Sequence, residues 1–366
     1  MSDVMQSIKF NTIEVPNRFA LAPMTRTSAE PDGTPNGLMA DHYEGYAKGG
    51  FGLVITEGTY TDDKASQGYA NQPGIINEAQ VAGWKTIVDR VHAAGSRILV
   101  QLMHAGAQSQ ANRYTDQPLG PSEVIPKGAP LGFYGDQTEW KTPKAMTEAD
   151  IQAAIKGFAR SAANAKAAGF DGIEIHGANG YLLNQFLSTH FNRREDEYGG
   201  PLENRLRLVV DVVSAVREAV GKDFTVGIRL SQGTVTDPDF QLPEGESGFR
   251  QIVEAVREAG ADFVHTTDVD VNRKHFIKGD QSLAGVASSV EGIELLLNGN
   301  IDETNCQDVA NQFPGALLAI GKKALANPDF VQRLKDGKEI ADIDFAMLQP
   351  KATITNELAW RRQNAA

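Results

Sequence analysis

Eight short apolar segments, each leading through glycine or polar residues into a stretch of helical periodicity, restrict the folds open to this chain more than any other feature. They are RFALAPM (18–24), GLVITEG (52–58), RILVQLMH (97–104), DGIEIHG (171–177), FTVGIRLS (224–231), DFVHTTD (262–268), IELLLNG (293–299) and ALLAIGK (316–322). Nearly continuous apolar strands indicate burial on both faces, the condition of a parallel sheet covered by helices. The helices lie between them. After Thr147, with Asp150 three residues on, Ile151, Ile155, Phe158 and Ala162 fall on one face. A second face runs through Leu206, Val209, Val213, Val216 and Val220 to a stop at Gly221. Strand and helix alternate eight times without a break in composition, so the expected fold is α/β, one (β/α)8 TIM barrel formed by residues 1–366 as a single domain. Two pieces fall outside that count. IKFNTIEVPNR (8–18) reads as a short hairpin closing the barrel bottom. Residues 105–146, rich in Gly, Pro, Ser and Gln, are too long for a plain connection and read as a lid-like insertion after the third strand.

Charge narrows the partners. A net charge of −12 argues against nucleic acid or an anionic membrane as the main one. No apolar run approaches the length of a membrane span. The start, MSDVMQSIKF, lacks the basic-then-apolar build of a secretory leader, so a cytoplasmic location is expected. Cys306 is the sole cysteine, which rules out an intramolecular disulfide and argues against a cysteine-ligated metal or iron–sulfur cluster. It is expected on a surface helix after strand seven, without a role. Whether the chain forms a homo-oligomer stays open.

In barrels of this kind chemistry sits at the C-terminal ends of the strands. Those ends carry Met24 and Thr25, Glu57 and Gly58, Gln101 and His104, His176, Arg229, Thr267 and Asp268, Gly299 and Asn300, then Gly321 and Lys322. Just beyond His176 come Asn179 and Tyr181, so an imidazole, an amide and a phenol leave one buried strand almost together. Each residue alone has an ordinary structural explanation; a threonine, for instance, commonly bonds its own turn. Their convergence on one face favours a site. NGN (298–300) and AIGKK (319–323) put glycines and a cation where barrels often bind phosphate, with backbone N–H groups exposed for an anion. Residue chemistry alone leaves other classes open: a flavin-free lyase or Schiff-base aldolase, a metal-dependent enzyme drawing on His104, His176 and Asp268, or a binding barrel without catalysis. The sixth strand offers no aldolase lysine and no paired-histidine motif follows the first, so no metal is expected.

HGANGYLLNQFLSTHFNRREDEYGGPLENR (176–205) strongly resembles the signature of the Old Yellow Enzyme family of FMN-dependent ene-reductases. The resemblance extends through NRFALAPMTR (17–26), GLVITEGTY (52–60), ILVQLMHAG (98–106), GIRLS (227–231) and ALANPDF (324–330), and so across the barrel. It implies noncovalent FMN at the C-terminal face, reduced by NAD(P)H, which leaves and is replaced by an activated alkene. It further implies that Pro23, Met24 and Thr25 lie along the flavin ring, with the Thr25 hydroxyl near O4, and that Gly58 lets backbone approach it. Gln101 would read the pyrimidine edge and Arg229 the N1–O2 region; Gly299, Asn300, Gly321 and Lys322 would hold the phosphate. His176 and Asn179 would donate to the substrate's carbonyl oxygen as charge develops, and Tyr181 would protonate the α-carbon. NRREDEYGG (192–200) would fix the loop behind the site.

The chain departs from the family at some positions. Lys322 stands where most relatives have arginine, and lysine lacks the fork that grips phosphate bidentately. Met103, in the substrate pocket, replaces a common tryptophan. Thr25 argues against the branch with cysteine there, and one cysteine in 366 residues excludes the larger iron–sulfur type. No GxGxxG follows a strand, so no separate dinucleotide domain is expected.

Overall fold

The computed structural model describes residues 4–364. The chain enters through an antiparallel hairpin, β1 (Ile8–Phe10) and β2 (Ile13–Val15). Then come β3 (Phe19–Leu21), β4 (Leu53–Ile55), the two-residue β5 (Thr59–Tyr60) and β6 (Arg97–Met103). The segment 105–146 contains β7 (Leu119–Gly120) and β8 (Lys144–Ala145), paired with each other. β9 (Gly172–Asn179), β10 (Thr225–Thr234), β11 (Phe263–Thr267), β12 (Glu294–Asn298) and β13 (Leu317–Ile320) complete the set. Among the described residues β3, β4, β6 and β9 to β13 pair in parallel, and β13 returns to β3, so eight strands close a barrel. The helices around it are α1 (Gly37–Lys48), α2 (Glu78–Ala93), α3 (Glu148–Ala168), α4 (Leu182–Leu187), α5 (Leu202–Val220) and α6 (Gly245–Glu258). Shorter ones follow: α7 (Leu283–Ser288), α8 (Cys306–Gln312), α9 (Lys322–Ala326), α10 (Phe330–Asp336) and finally α11 (Ile354–Asn364). No helix among the described residues is long and apolar enough to cross a membrane.

Local chemistry sets these boundaries. Thr147 and Asp150 form a reciprocal capping box that starts α3, and Gly169 ends it in the left-handed conformation. Leu206, Val209, Val213, Val216 and Val220 are all buried along α5, each worth roughly 1.5–3 kcal/mol of apolar burial. Two strands stop earlier than their apolar runs suggest. β3 ends before Pro23, which has no N–H for the ladder. β4 ends before Glu57, whose N–H is taken by the Tyr43 hydroxyl at 2.9 Å. The Glu57 carboxylate then accepts from the N–H groups of Arg26 and Thr27 at 2.8 and 2.9 Å, which draws the chain after β3 against the end of β4.

Phe10, Ile13 and Val15 of the hairpin pack with Ala20, Leu53, Leu99 and Phe263 inside the barrel, and Thr12 meets Thr225 at the start of β10, at 2.7 Å. The hairpin therefore plugs the end where the strands begin. At the other end, Phe133 and Tyr134 of the 105–146 segment pack on Met347, Leu348 and Ala352, and the Ala352 N–H donates to Phe133 O at 2.8 Å. Arg26 pairs with Glu357 at 2.6 Å, both almost fully buried, tying α11 to the chain after β3. Cys306 departs from its expected surface position: it opens α8 but is 1% exposed, because the first turn of that helix faces the core.

Candidate active site

Alternate residues of each strand face the barrel interior. Register places Gln101 of β6 opposite Glu174 of β9, then His176 opposite Arg229 of β10, Arg229 opposite His265 of β11, and Thr267 opposite Asn298 of β12. The upper barrel is thus lined by polar groups in a chain whose strands read as apolar. A cavity of about 790 Å³ opens above them, bordered by Pro23, Met24, Asn179, Arg229, Gly299 and Lys322 among others.

His176 is buried, and burial, then Arg229 and His265, hold its imidazole well below the ordinary value. It is therefore neutral near pH 7. Its Nδ1 accepts a long hydrogen bond from Ala178 N at 3.4 Å, so the proton sits on Nε2 and remains a free donor. Asn179 ends the same strand in the left-handed conformation (φ 63°), its own N–H held by Ser231 Oγ at 2.9 Å. Its side-chain amide has no hydrogen-bond partner among the described residues. Tyr181 caps α4, and its ring centroid stands 4.9 Å from that of His176. Its hydroxyl shares a 2.6 Å hydrogen bond with Tyr69. Burial raises both phenols, but Tyr181 is eased by the Tyr69 hydrogen bond and by Arg229, whereas Tyr69 is pushed further up by its partner. Either hydroxyl can donate in that bond, and with Tyr69 as donor the Tyr181 proton is left for another acceptor.

Arg229 is 6% exposed; it donates to Thr267 Oγ1 at 3.1 Å and Asn298 Oδ1 at 3.0 Å, while its Nε has no partner. Gln101 donates through Nε2 to Glu174 at 2.7 Å. Gly58 lies beside it, and a Cβ there would come within 2.5 Å of Met103 Sδ. Met103 is 1% exposed in a cluster with Tyr69, Ala105 and Tyr181, and Tyr134 packs against that cluster. Thr25 lies beside the Tyr134 hydroxyl.

At the far end of the cavity, Gly299 has φ 152°, and a Cβ on it would come within 2.5 Å of Val271 N; only glycine fits that backbone approach. Asn300 follows in the left-handed region, a Cβ on Gly321 would make only ordinary contacts with Ala22 and Met24, and Lys322 forms no ion pair or hydrogen bond among the described residues. Lys323 next to it is committed to Glu303 and Asp342.

The structure does not gather the alternative metal set. His104 accepts from Gly106 N through Nδ1 and faces Asp62 at 3.7 Å, while Asp268 is bound by Arg273 at 3.2 Å. Among the described residues, no three His, Cys, Asp or Glu side chains meet as a metal site. Asn192, from the charged run behind the site, bonds Phe186 O and Tyr198 O at 2.8 and 2.7 Å, a loop-fixing role. Sequence reasoning missed Glu174, His265, Tyr69 and Tyr134. Period-two spacing could have found Glu174, two residues before His176 on the same face.

Residues 3–340 match the NADH:flavin oxidoreductase / NADH oxidase family. Chanoclavine-I aldehyde reductase of Penicillium roqueforti is 35% identical over 94% of this chain and 92% of its own. A probable flavin mononucleotide-dependent alkene reductase of Leishmania infantum is 33% identical over 88% and 87%. Among solved structures, morphinone reductase in complex with tetrahydroNAD superposes with a TM-score of 0.83 at 31% identity, covering 94% of this chain and 93% of that one. The Old Yellow Enzyme homologue from Zymomonas mobilis gives 0.84 at 29%, covering 96% and 98%.

Proposed function

Because the chain belongs to the NADH:flavin oxidoreductase / NADH oxidase family, the Old Yellow Enzyme group of FMN- and NAD(P)H-dependent oxidoreductases, we propose that it reduces the C=C bond of α,β-unsaturated carbonyl compounds and nitroalkenes. The residues present fit FMN. The cavity is of ligand size, Arg229 Nε is a buried donor without a partner, and Lys322 is an uncommitted cation beside two glycines. Pro23, Met24, Thr25, Gly58, Gln101 and Arg229 would hold the ring, and Gly299, Asn300, Gly321 and Lys322 the phosphate. When bound, FMN supplies the hydride, from N5 to the alkene's β-carbon.

This chain's own residues do the rest. His176 Nε2–H and the free Asn179 amide bind the carbonyl or nitro oxygen, and both bonds strengthen as negative charge grows there. Tyr181 delivers its proton to the α-carbon; its raised pKa keeps it protonated at neutral pH. Met103, Tyr69 and Tyr134 pack around Tyr181 and would back it on the substrate's side. The 105–146 segment, latched to residues 347–352, acts as a lid that keeps water from the reacting centre.

One observation carries the reading: His176, in register with the buried cation Arg229, and Asn179 end one strand with side-chain donors uncommitted to the protein, and the Tyr181 phenol follows two residues on, beside the His176 ring. The test is anaerobic. Purified protein should carry FMN at about one per chain, be bleached by NAD(P)H, and regain its colour on adding 2-cyclohexenone or a nitroalkene. A colourless preparation that also fails to bind added FMN refutes the proposal.

A further inference from the structure

Beneath the strand-end donors lies a buried polar group that the reaction above does not use. Glu174 is fully enclosed. Its Oε1 accepts from Gln101 Nε2 at 2.7 Å and its Oε2 meets His265 Nδ1 at 2.6 Å. Burial pushes the His265 imidazole down to about 4, so it is neutral and donates from Nδ1, and its Nε2 is without a partner. Burial alone would raise the Glu174 carboxyl, but His265, Arg229 and Gln101 together hold it below its ordinary value. A charged carboxylate therefore sits fully buried between Gln101 and His265.

Two consequences follow. The first is orientation. With Nε2 committed to Glu174, the Gln101 amide cannot flip, and its Oε1 turns to the side of Gly58, 3.5 Å from where a Cβ of that glycine would stand. A flavin's pyrimidine edge presents an N–H between two carbonyls, and an acceptor held in place is what that N–H requires. The second is charge. Arg229 bonds only neutral acceptors, Thr267 and Asn298. A buried cation without a bonded carboxylate needs a compensating anion nearby. Glu174 supplies it: it pairs in register with Gly227, two residues before Arg229 on the same inward face, and the two attract.

We propose that Glu174 is a positioning residue for the flavin, fixing the Gln101 amide and offsetting the Arg229 charge, so that the cofactor's reduction potential is held below the value Arg229 alone would give. The proposal rests on the FMN reading above. The oxidised ring is neutral while the reduced ring carries negative charge near Arg229. Removing the Glu174 charge must therefore stabilise the reduced form more than the oxidised one.

The test is the two-electron midpoint potential of bound FMN, read against a reference dye. Glu174→Gln should raise the ratio of reduced-to-oxidised FMN affinity about tenfold, an upward shift of about 30 mV. Glu174→Asp, which keeps the charge, should stay nearer the wild type. Should Glu174→Gln not fold, the double variant Glu174→Leu/His265→Phe removes the charge together with its His265 donor and frees the Gln101 amide alone; it should show the same upward shift. A wild-type potential in either folded, FMN-bound variant overturns the proposal, and failure of both to fold assigns Glu174 to the scaffold instead. If wild-type protein binds no FMN, it is the functional reading that falls.

Discussion

Tyr69→Phe isolates the hydrogen bond behind the proposed proton donor. In the resting protein two neutral phenols share a 2.6 Å contact, a bond of roughly 0.5–1.5 kcal/mol. As Tyr181 gives up its proton its oxygen becomes anionic, and the same donor then contributes roughly 1.5–3 kcal/mol. Only the difference, about 1–1.5 kcal/mol, is gained on the way to the transition state, and only that difference speeds the reaction. Its loss corresponds to about a 5–13-fold slower step. The substitution is nearly isosteric inside the cluster of Met103, Ala105 and Tyr181, so packing survives. Stopped-flow spectrophotometry under anaerobic conditions should show flavin reduction by NAD(P)H unchanged and reoxidation by 2-cyclohexenone slowed by that factor. The pH dependence has a definite sign. Tyr69 lowers the Tyr181 pKa, so without it Tyr181 keeps its proton to higher pH and the alkaline limb of reoxidation moves up. Equal slowing of both half-reactions, or an alkaline limb that moves down, would refute this account of the pair.

Two further outcomes test other parts of the structure. Lys322→Ala should weaken FMN retention by about 1.5–3 kcal/mol, the worth of a charge-assisted contact, measured by fluorescence titration of apoprotein; unchanged affinity would mean that backbone groups alone hold the phosphate. Glu57 is pushed up to about 7 by burial, against an unfolded value near 4.5, so the folded state binds its proton more tightly. Its contribution is fully present below about pH 4.5 and lost as pH rises through about 7, on the order of 3 kcal/mol. Urea unfolding of Glu57→Gln should lack that decline, and parallel pH profiles for the two proteins would contradict it.

The barrel was legible because its strands are buried on both faces, which writes them as apolar runs such as RILVQLMH and FTVGIRLS. The strand-end donors were legible because His176, Asn179 and Tyr181 interrupt such a run within six residues. The stops of β3 and β4 were not, since they depend on a carboxylate from one loop binding N–H groups of another, Glu57 to Arg26 and Thr27. Tyr69 and Tyr181 are 112 positions apart, and nothing local announces their contact. Glu174 and His265 look like polar accidents in apolar strands; only the register of β9, β10 and β11 turns them inward toward one another. Cys306 shows the converse: a residue without chemistry in the sequence that the first turn of α8 buries in the core.

The most direct test of the central claim is Tyr181→Phe followed through both half-reactions. Taking a hydride from NAD(P)H requires no proton from Tyr181, so flavin reduction should match the wild type. Reoxidation by 2-cyclohexenone should slow by about 10²–10⁴-fold, the usual worth of a positioned general acid. A nitroalkene, whose nitronate product can wait for a proton from water, should still reoxidise the flavin at nearly the wild-type rate. If Tyr181→Phe leaves enone reduction intact, or slows flavin reduction as much as enone reduction, Tyr181 is not the proton donor and the proposed site chemistry is wrong.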